Sequence, residues 1–91
     1  MGLKGPIMQP RKLLKRIPVE SEAVRSVGYD PHSRVLQVEF DNGSIYHYLD
    51  VPEPEYQALL RAESIGRFVT HRIKANYRYE LMKAADESLV R

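Results

Sequence analysis

Residues 36–52, Leu-Gln-Val-Glu-Phe-Asp-Asn-Gly-Ser-Ile-Tyr-His-Tyr-Leu-Asp-Val-Pro, admit few folds. Leu36, Val38 and Phe40 alternate with Gln37 and Glu39, the period of a strand with one apolar face. Ile45 to Leu49 is β-branched and aromatic, which suits a second strand. Between them Asp41-Asn42-Gly43 is a tight connection, because Gly43 takes φ > 0 without steric cost. Val51-Pro52 then marks a helix start. The segment reads as a β-hairpin running straight into a helix.

The register of that hairpin decides where Tyr46 and Tyr48 point, since a slip of one residue moves a whole strand's side chains to the other face. A two-residue turn at Asn42-Gly43 pairs Phe40 with Ile45 and Val38 with His47, and the tyrosines join Gln37 and Glu39. A three-residue loop, with Gly43 as the bulge residue, pairs Phe40 with Ser44 and Val38 with Tyr46. The tyrosines then join Leu36, Val38 and Phe40. The residue pattern alone favours the first register, whose faces are cleaner.

Around the hairpin the coarse pattern is simple. Residues 23–29 alternate and end at the turn signal Asp30-Pro31, giving a third strand. Pro52 and Pro54 fit a first helical turn, with Glu53 and Glu55 at its positive end. Tyr56, Leu59 and Leu60 form its inward stripe. Ser64 is a plausible N-cap for a second helix, in which Ile65, Val69, Ile73 and Tyr77 recur every four residues with Phe68 beside them. Leu81, Ala85 and Leu89 continue that helical spacing. The expectation is an α+β domain: a three-stranded antiparallel sheet followed by two helices on one face, in the order βββαα. Residues 1–16, broken by Gly2, Gly5, Pro6 and Pro10, read as a flexible basic arm. Residues 17–91 read as a single domain with a helical extension from about residue 78.

The chain has 91 residues, enough for one ordinary core, and no cysteine. Disulfides, thiolate metal sites and a thiol nucleophile are therefore excluded. No apolar run approaches the roughly 18 residues that would span a bilayer, and the start, MGLKGPIM, lacks the apolar stretch of a secretory signal. A soluble cytoplasmic protein, bacterial in style, is expected. The net charge of +2 hides a segregation. Lys4, Arg11, Lys12, Lys15 and Arg16 face no acid before residue 20. Nine acids against three arginines fill residues 20–63, and residues 64–83 carry five cations against Glu80. A polyanion would meet the two basic segments rather than the average.

In the second helix Arg67, His71, Lys74 and Arg78 occur at spacings of four, three and four. They fall within a stripe about 60° wide, opposite the Ile65/Val69 side. Like charges at such spacing repel by a few tenths of a kcal/mol per pair, so an anionic partner would relieve the stripe. An ordinary solvated face is the competing reading. Tyr46 and Tyr48 could stack on bases, or could be core rings with hydroxyls at the rim. The two roles coexist if the hydroxyls border a groove. His32, His47 and His71 have no ligand spacing, and no nucleophile elbow or phosphate loop is present. No catalytic residue, metal ligand or small-molecule cofactor is expected.

Residues 19–77 resemble the KTSC domain family. The resemblance rests on Val19 and Ser21, Gly28-Tyr29-Asp30, Leu36-x-Val38-x-Phe40, Gly43-x-x-Tyr46-x-Tyr48, Val51-Pro52, Ser64-x-Gly66, and Ile73 with Tyr77. The family occurs as a small stand-alone bacterial domain and as a C-terminal extension of some lysyl-tRNA synthetases, and that connection implies RNA as a partner class. In this sequence the implied contacts are Arg67, His71, Lys74 and Arg78 with phosphates, and Tyr46 and Tyr48 with bases. The family commonly places Lys between the Ser and Gly; here that residue is Ile65, which removes one anion contact. A polar residue between the two tyrosines, as His47 is here, favours the three-residue loop. The competing class is a protein-interaction module using an exposed sheet edge or the Ile45/Leu49 face.

Overall fold

The hairpin closes as the three-residue loop. Gly43 sits at φ +90°; its N–H donates to the Phe40 carbonyl at 2.9 Å, and the Phe40 N–H donates to the Ser44 carbonyl at 2.8 Å. Asn42 braces the loop: its Oδ1 accepts from the Ser44 N–H and hydroxyl at 3.0 and 2.7 Å. Val38 therefore lies opposite Tyr46, and Leu36 opposite Tyr48. Both tyrosines fall on the apolar face, the register that the residue pattern alone disfavours and the family resemblance favours.

The structure, a computed structural model, describes residues 12–86. Its elements are β1 (Ile17–Pro18), β2 (Val24–Asp30), β3 (Val35–Phe40), β4 (Ile45–Tyr48), α1 (Glu53–Leu60), α2 (Ile65–Phe68) and β5 (Tyr79–Lys83). α2 runs on as a π-helical turn, Val69–Ile73. The five strands form one antiparallel sheet in chain order, with the helices on one face. Val24, Val27, Leu36, Val38 and Tyr48 from the sheet meet Val51, Tyr56, Leu59, Val69 and Ile73 to make the core. Among the described residues no helix is long and apolar enough to cross a membrane.

The α+β class and the helical face stand as expected; the strand count does not. β5 occupies the segment expected to extend the second helix. That helix stops because its last turn widens: the Lys74 N–H donates to the Val69 carbonyl at 2.8 Å, and the Asn76 and Tyr77 N–H groups both fall on the Ile73 carbonyl. The chain then turns and lays Tyr79–Lys83 along the otherwise open edge of β4, with Tyr79 opposite Tyr48 and Leu81 opposite Tyr46. Tyr79 and Leu81 alternate with Glu80, a period-2 pattern that competes with the four-residue spacing of Leu81, Ala85 and Leu89, and the available edge decides between them. Leu89 lies outside the described residues. Leu60, expected inward, is exposed.

The N-terminal segment also departs from expectation. Residues 1–11 lie outside the described residues, but residues 12–16 are not a free arm. The Gln37 side chain acts as a surrogate strand partner: its Oε1 accepts the Leu14 N–H at 2.8 Å and its Nε2 donates to the Leu14 carbonyl at 3.2 Å. Close approach needs Gly28, because a Cβ there would run into the Lys15 carbonyl oxygen. Gln37, Glu39 and His47 on this face are consequently buried, although their polarity suggests solvent. His47 Nε2 hydrogen-bonds Gln37 Oε1 at 2.8 Å, and the Ser26 hydroxyl donates to Glu39 Oε1 at 2.6 Å. Arg16 and Arg25 reach Glu39 Oε2 at 3.2 and 3.5 Å. Buried polar groups persist where such partners satisfy them.

Two outcomes are expected. Gly43→Val forces a β-branched residue into the left-handed region and pushes Cβ into the Asp86 carboxylate; it should cost about 1–3 kcal/mol, read as a melting temperature lower by roughly 4–8 °C per kcal/mol. Gln37→Leu should cost about 1–3 kcal/mol and speed amide exchange at Leu14 far more than at Val38. Unchanged protection at Leu14 would show that Gln37 does not hold the segment.

Candidate functional site

Four aromatic side chains meet where β3, β4 and β5 lie side by side. The Phe40 ring stands edge-on to Tyr46, centroids 5.6 Å apart. Tyr46 stacks against Tyr48 at 6.2 Å, and Tyr79 packs on both, 5.3 Å from Tyr46 and 6.2 Å from Tyr48. These separations lie within the range in which ring pairs attract beyond simple area burial. The strand period explains the gathering: Tyr46 and Tyr48 are two apart on β4, and the register on each side brings Phe40 and Tyr79 to the same face. The π-helical turn stands over the cluster and ends at Lys74, whose ammonium lies 5.8 Å from the Phe40 ring centre.

Together these residues line an open groove of about 500 Å³, with Thr70 on its helical wall and Asp41, Asn42 and Ser44 from the hairpin loop at its rim. That volume suits a small planar ligand or one segment of a chain. The rings are unequal in access. Tyr48 is 2% exposed and belongs to the core; Tyr46 is half-buried, and Tyr79 is 61% exposed. Burial pushes the Tyr48 phenol up to about 12, with the neighbouring Tyr46 and Tyr79 adding to it. Burial likewise raises Tyr29, Tyr56 and Tyr77.

The expected basic stripe is not assembled. The wide π turn rotates the residues beyond it, and the helix ends before Arg78. Lys74 alone of the four lines the aromatic groove. Arg67 and His71 line a neighbouring hollow together with Glu20, Glu22 and Glu63, so three carboxylates outnumber one guanidinium there. Arg78 sits on the approach to β5, where its carbonyl accepts the Leu49 N–H and its guanidinium lies 3.6 Å from the Asp50 carboxylate, both exposed. Such a pair contributes little stability. Ser64 is the helix cap, its hydroxyl accepting the Arg67 N–H at 3.2 Å. Tyr79, Phe40 and Thr70 were not among the expected site residues. The alternation of Tyr79 and Leu81 around Glu80 was the one signal for the first; nothing in the sequence separates Thr70 from other exposed helix positions.

The chain is similar to known proteins. The KTSC domain model matches residues 20–77. An uncharacterised protein of Stutzerimonas stutzeri is 45% identical over 67 residues, which cover 72% of this chain and 94% of that protein. A lysine–tRNA ligase of a Nostoc species is 36% identical over 61 residues, 67% of this chain but 11% of the ligase. The crystal structure of a KTSC domain protein from Yersinia pestis superposes with a TM-score of 0.70 at 40% identity, covering 74% of this chain and 94% of that one.

The Tyr48 phenol makes stability depend on alkaline pH. Its folded value, about 12, lies above its ordinary value of 10.0. The unfolded chain thus loses the proton first. The contribution is complete below pH 10 and is lost as pH rises through 12, about 2–3 kcal/mol in all. Denaturant melts across that window should show the decline in wild type and a smaller one in Tyr48→Phe; identical declines would assign it to the other buried tyrosines.

Proposed function

The chain belongs to the KTSC domain family, and from that premise we propose that it is a non-catalytic module that binds single-stranded RNA in the aromatic groove. The observation that carries this reading is the gathering of the Phe40, Tyr46 and Tyr79 rings, backed by the core ring of Tyr48, and one ammonium group at a single open groove. Tyr46 and Tyr79 supply faces or edges for a base, at roughly 1–3 kcal/mol per stacked base. Lys74, a compact charge on a flexible stem, takes the adjoining phosphate. Relatives named as lysine–tRNA ligases carry a similar segment, which supports RNA over other polyanions. Arg67, His71 and Arg78 have no direct part in this reading, because acids share their surroundings. Lys12 and Lys15 would add sequence-independent attraction.

A second reading has its own observation. β5 is the outermost strand of the sheet, and its Tyr79 and Leu81 are 61% and 53% exposed. An extended peptide could add to such an edge. The Ile45/Leu49 face considered for the same role is less suitable, since Ile45 is buried.

Fluorescence anisotropy with labelled single-stranded RNA across a salt series separates the readings. Tyr79→Ala should weaken binding by roughly 5- to 150-fold. Lys74→Ala should flatten the plot of log affinity against log salt by about 0.7, and Arg67→Ala should change neither. Affinity that ignores salt, or no binding by wild type at low salt, would remove the RNA reading and leave strand addition at β5.

A further inference from the structure

We infer that Asp41 makes the groove selective for guanine. This rests on the RNA reading above and goes beyond it. A carboxylate is an unexpected companion for a phosphate-binding lysine, since it repels the backbone that Lys74 would attract. Yet Asp41 stands at the rim of the same groove as Tyr46, Tyr79 and Lys74. Its place in the loop does not account for its side chain. Asn42, not Asp41, braces the turn. Among the described residues Asp41 is tied through its backbone: its N–H donates to the Ala23 carbonyl at 2.9 Å, and its carbonyl accepts from Arg25 Nη2 at 2.7 Å. The position is thus fixed while the carboxylate stays exposed at the groove mouth.

The chemistry of the bases then selects one of them. An ionised carboxylate only accepts hydrogen bonds. Guanine alone presents two adjacent donors on its pairing edge, N1–H and the N2 amino group, so it meets both carboxylate oxygens at once. Adenine, cytosine and uracil each place an acceptor next to their single donor there, which a carboxylate repels. A guanine stacked beside Tyr46 and Tyr79 would turn its donor edge to Asp41, with its phosphate left to Lys74. Opposite charges at the groove thus match the two ends of one nucleotide.

Labelled pentamers of uridine with a central guanosine, adenosine or inosine test this by anisotropy at low salt. Wild type should prefer guanosine over adenosine by roughly 5- to 150-fold, with inosine, which lacks the amino group, between them. Asp41→Asn should erase the preference while holding or improving affinity for the adenosine pentamer, and its melting temperature should match wild type because the side chain is exposed. Equal binding of all three pentamers by wild type overturns guanine selectivity and leaves the RNA reading standing. A preference that survives Asp41→Asn, or an equal loss for every pentamer, also overturns it. Failure of every pentamer to bind wild type defeats the RNA reading itself.

Discussion

Gly43 holds φ +90°, a backbone conformation that side-chain-bearing residues rarely adopt, and so lets the hairpin close as the three-residue loop on which the two faces of the sheet depend. With a three-residue loop, Tyr46 and Tyr48 lie opposite Val38 and Leu36. A two-residue turn would carry both tyrosines to the far face and put His47 under the helices. The core would then hold an imidazole in place of the Tyr48 ring. The aromatic groove would not exist, because Phe40 and Tyr46 would stand on opposite sides. Asp86 reinforces the loop from outside, its N–H donating to the Asn42 carbonyl at 2.8 Å.

The same register gives the far face its character. Gln37 and His47 become direct neighbours there, and Gln37 uses both ends of its amide on Leu14. A buried amide that satisfies a backbone N–H and C=O together replaces a missing strand pair, so residues 12–16 close over polar side chains without stranding them. β5 does comparable work at the other end: it covers the β4 edge and contributes Tyr79 to the groove. The sheet is thus finished by two segments whose own sequences are weak strand formers, each drawn in by a surface that the hairpin created.

That origin explains which parts could be read in advance. The hairpin, its neighbour β2, the first helix and the Ser64 cap were legible because alternation, Asp-Asn-Gly and Pro-Glu-Pro are local signals. Val69 and Ile73 were legible as core because helical spacing marks them. β5 was not, since Leu81, Ala85 and Leu89 continue the helical spacing while Tyr79 and Leu81 alternate only over three residues, and the choice was made by the β4 edge. The basic stripe failed for a different reason. It assumed 3.6 residues per turn through a segment that adopts a π turn, and it could not foresee that Glu20, Glu22 and Glu63 would gather beside Arg67. The burial of Gln37, Glu39 and His47 is not legible in the sequence, because polarity ordinarily signals exposure. Of the expected site residues, Tyr46, Tyr48 and Lys74 are brought together in the groove; Arg67 and His71 share the neighbouring hollow, and Arg78 lies apart from both.

The central claim is that the surface of Phe40, Tyr46, Lys74 and Tyr79 is where RNA binds. NMR chemical-shift mapping of the isotope-labelled protein, titrated with single-stranded RNA, tests it most directly. The account predicts progressive shifts at the Tyr46 and Tyr79 rings, the Asp41–Ser44 amides and Lys74, with Arg67, His71 and Arg78 unmoved. Shifts confined to residues 64–71, or a spectrum that RNA leaves unchanged, would contradict it.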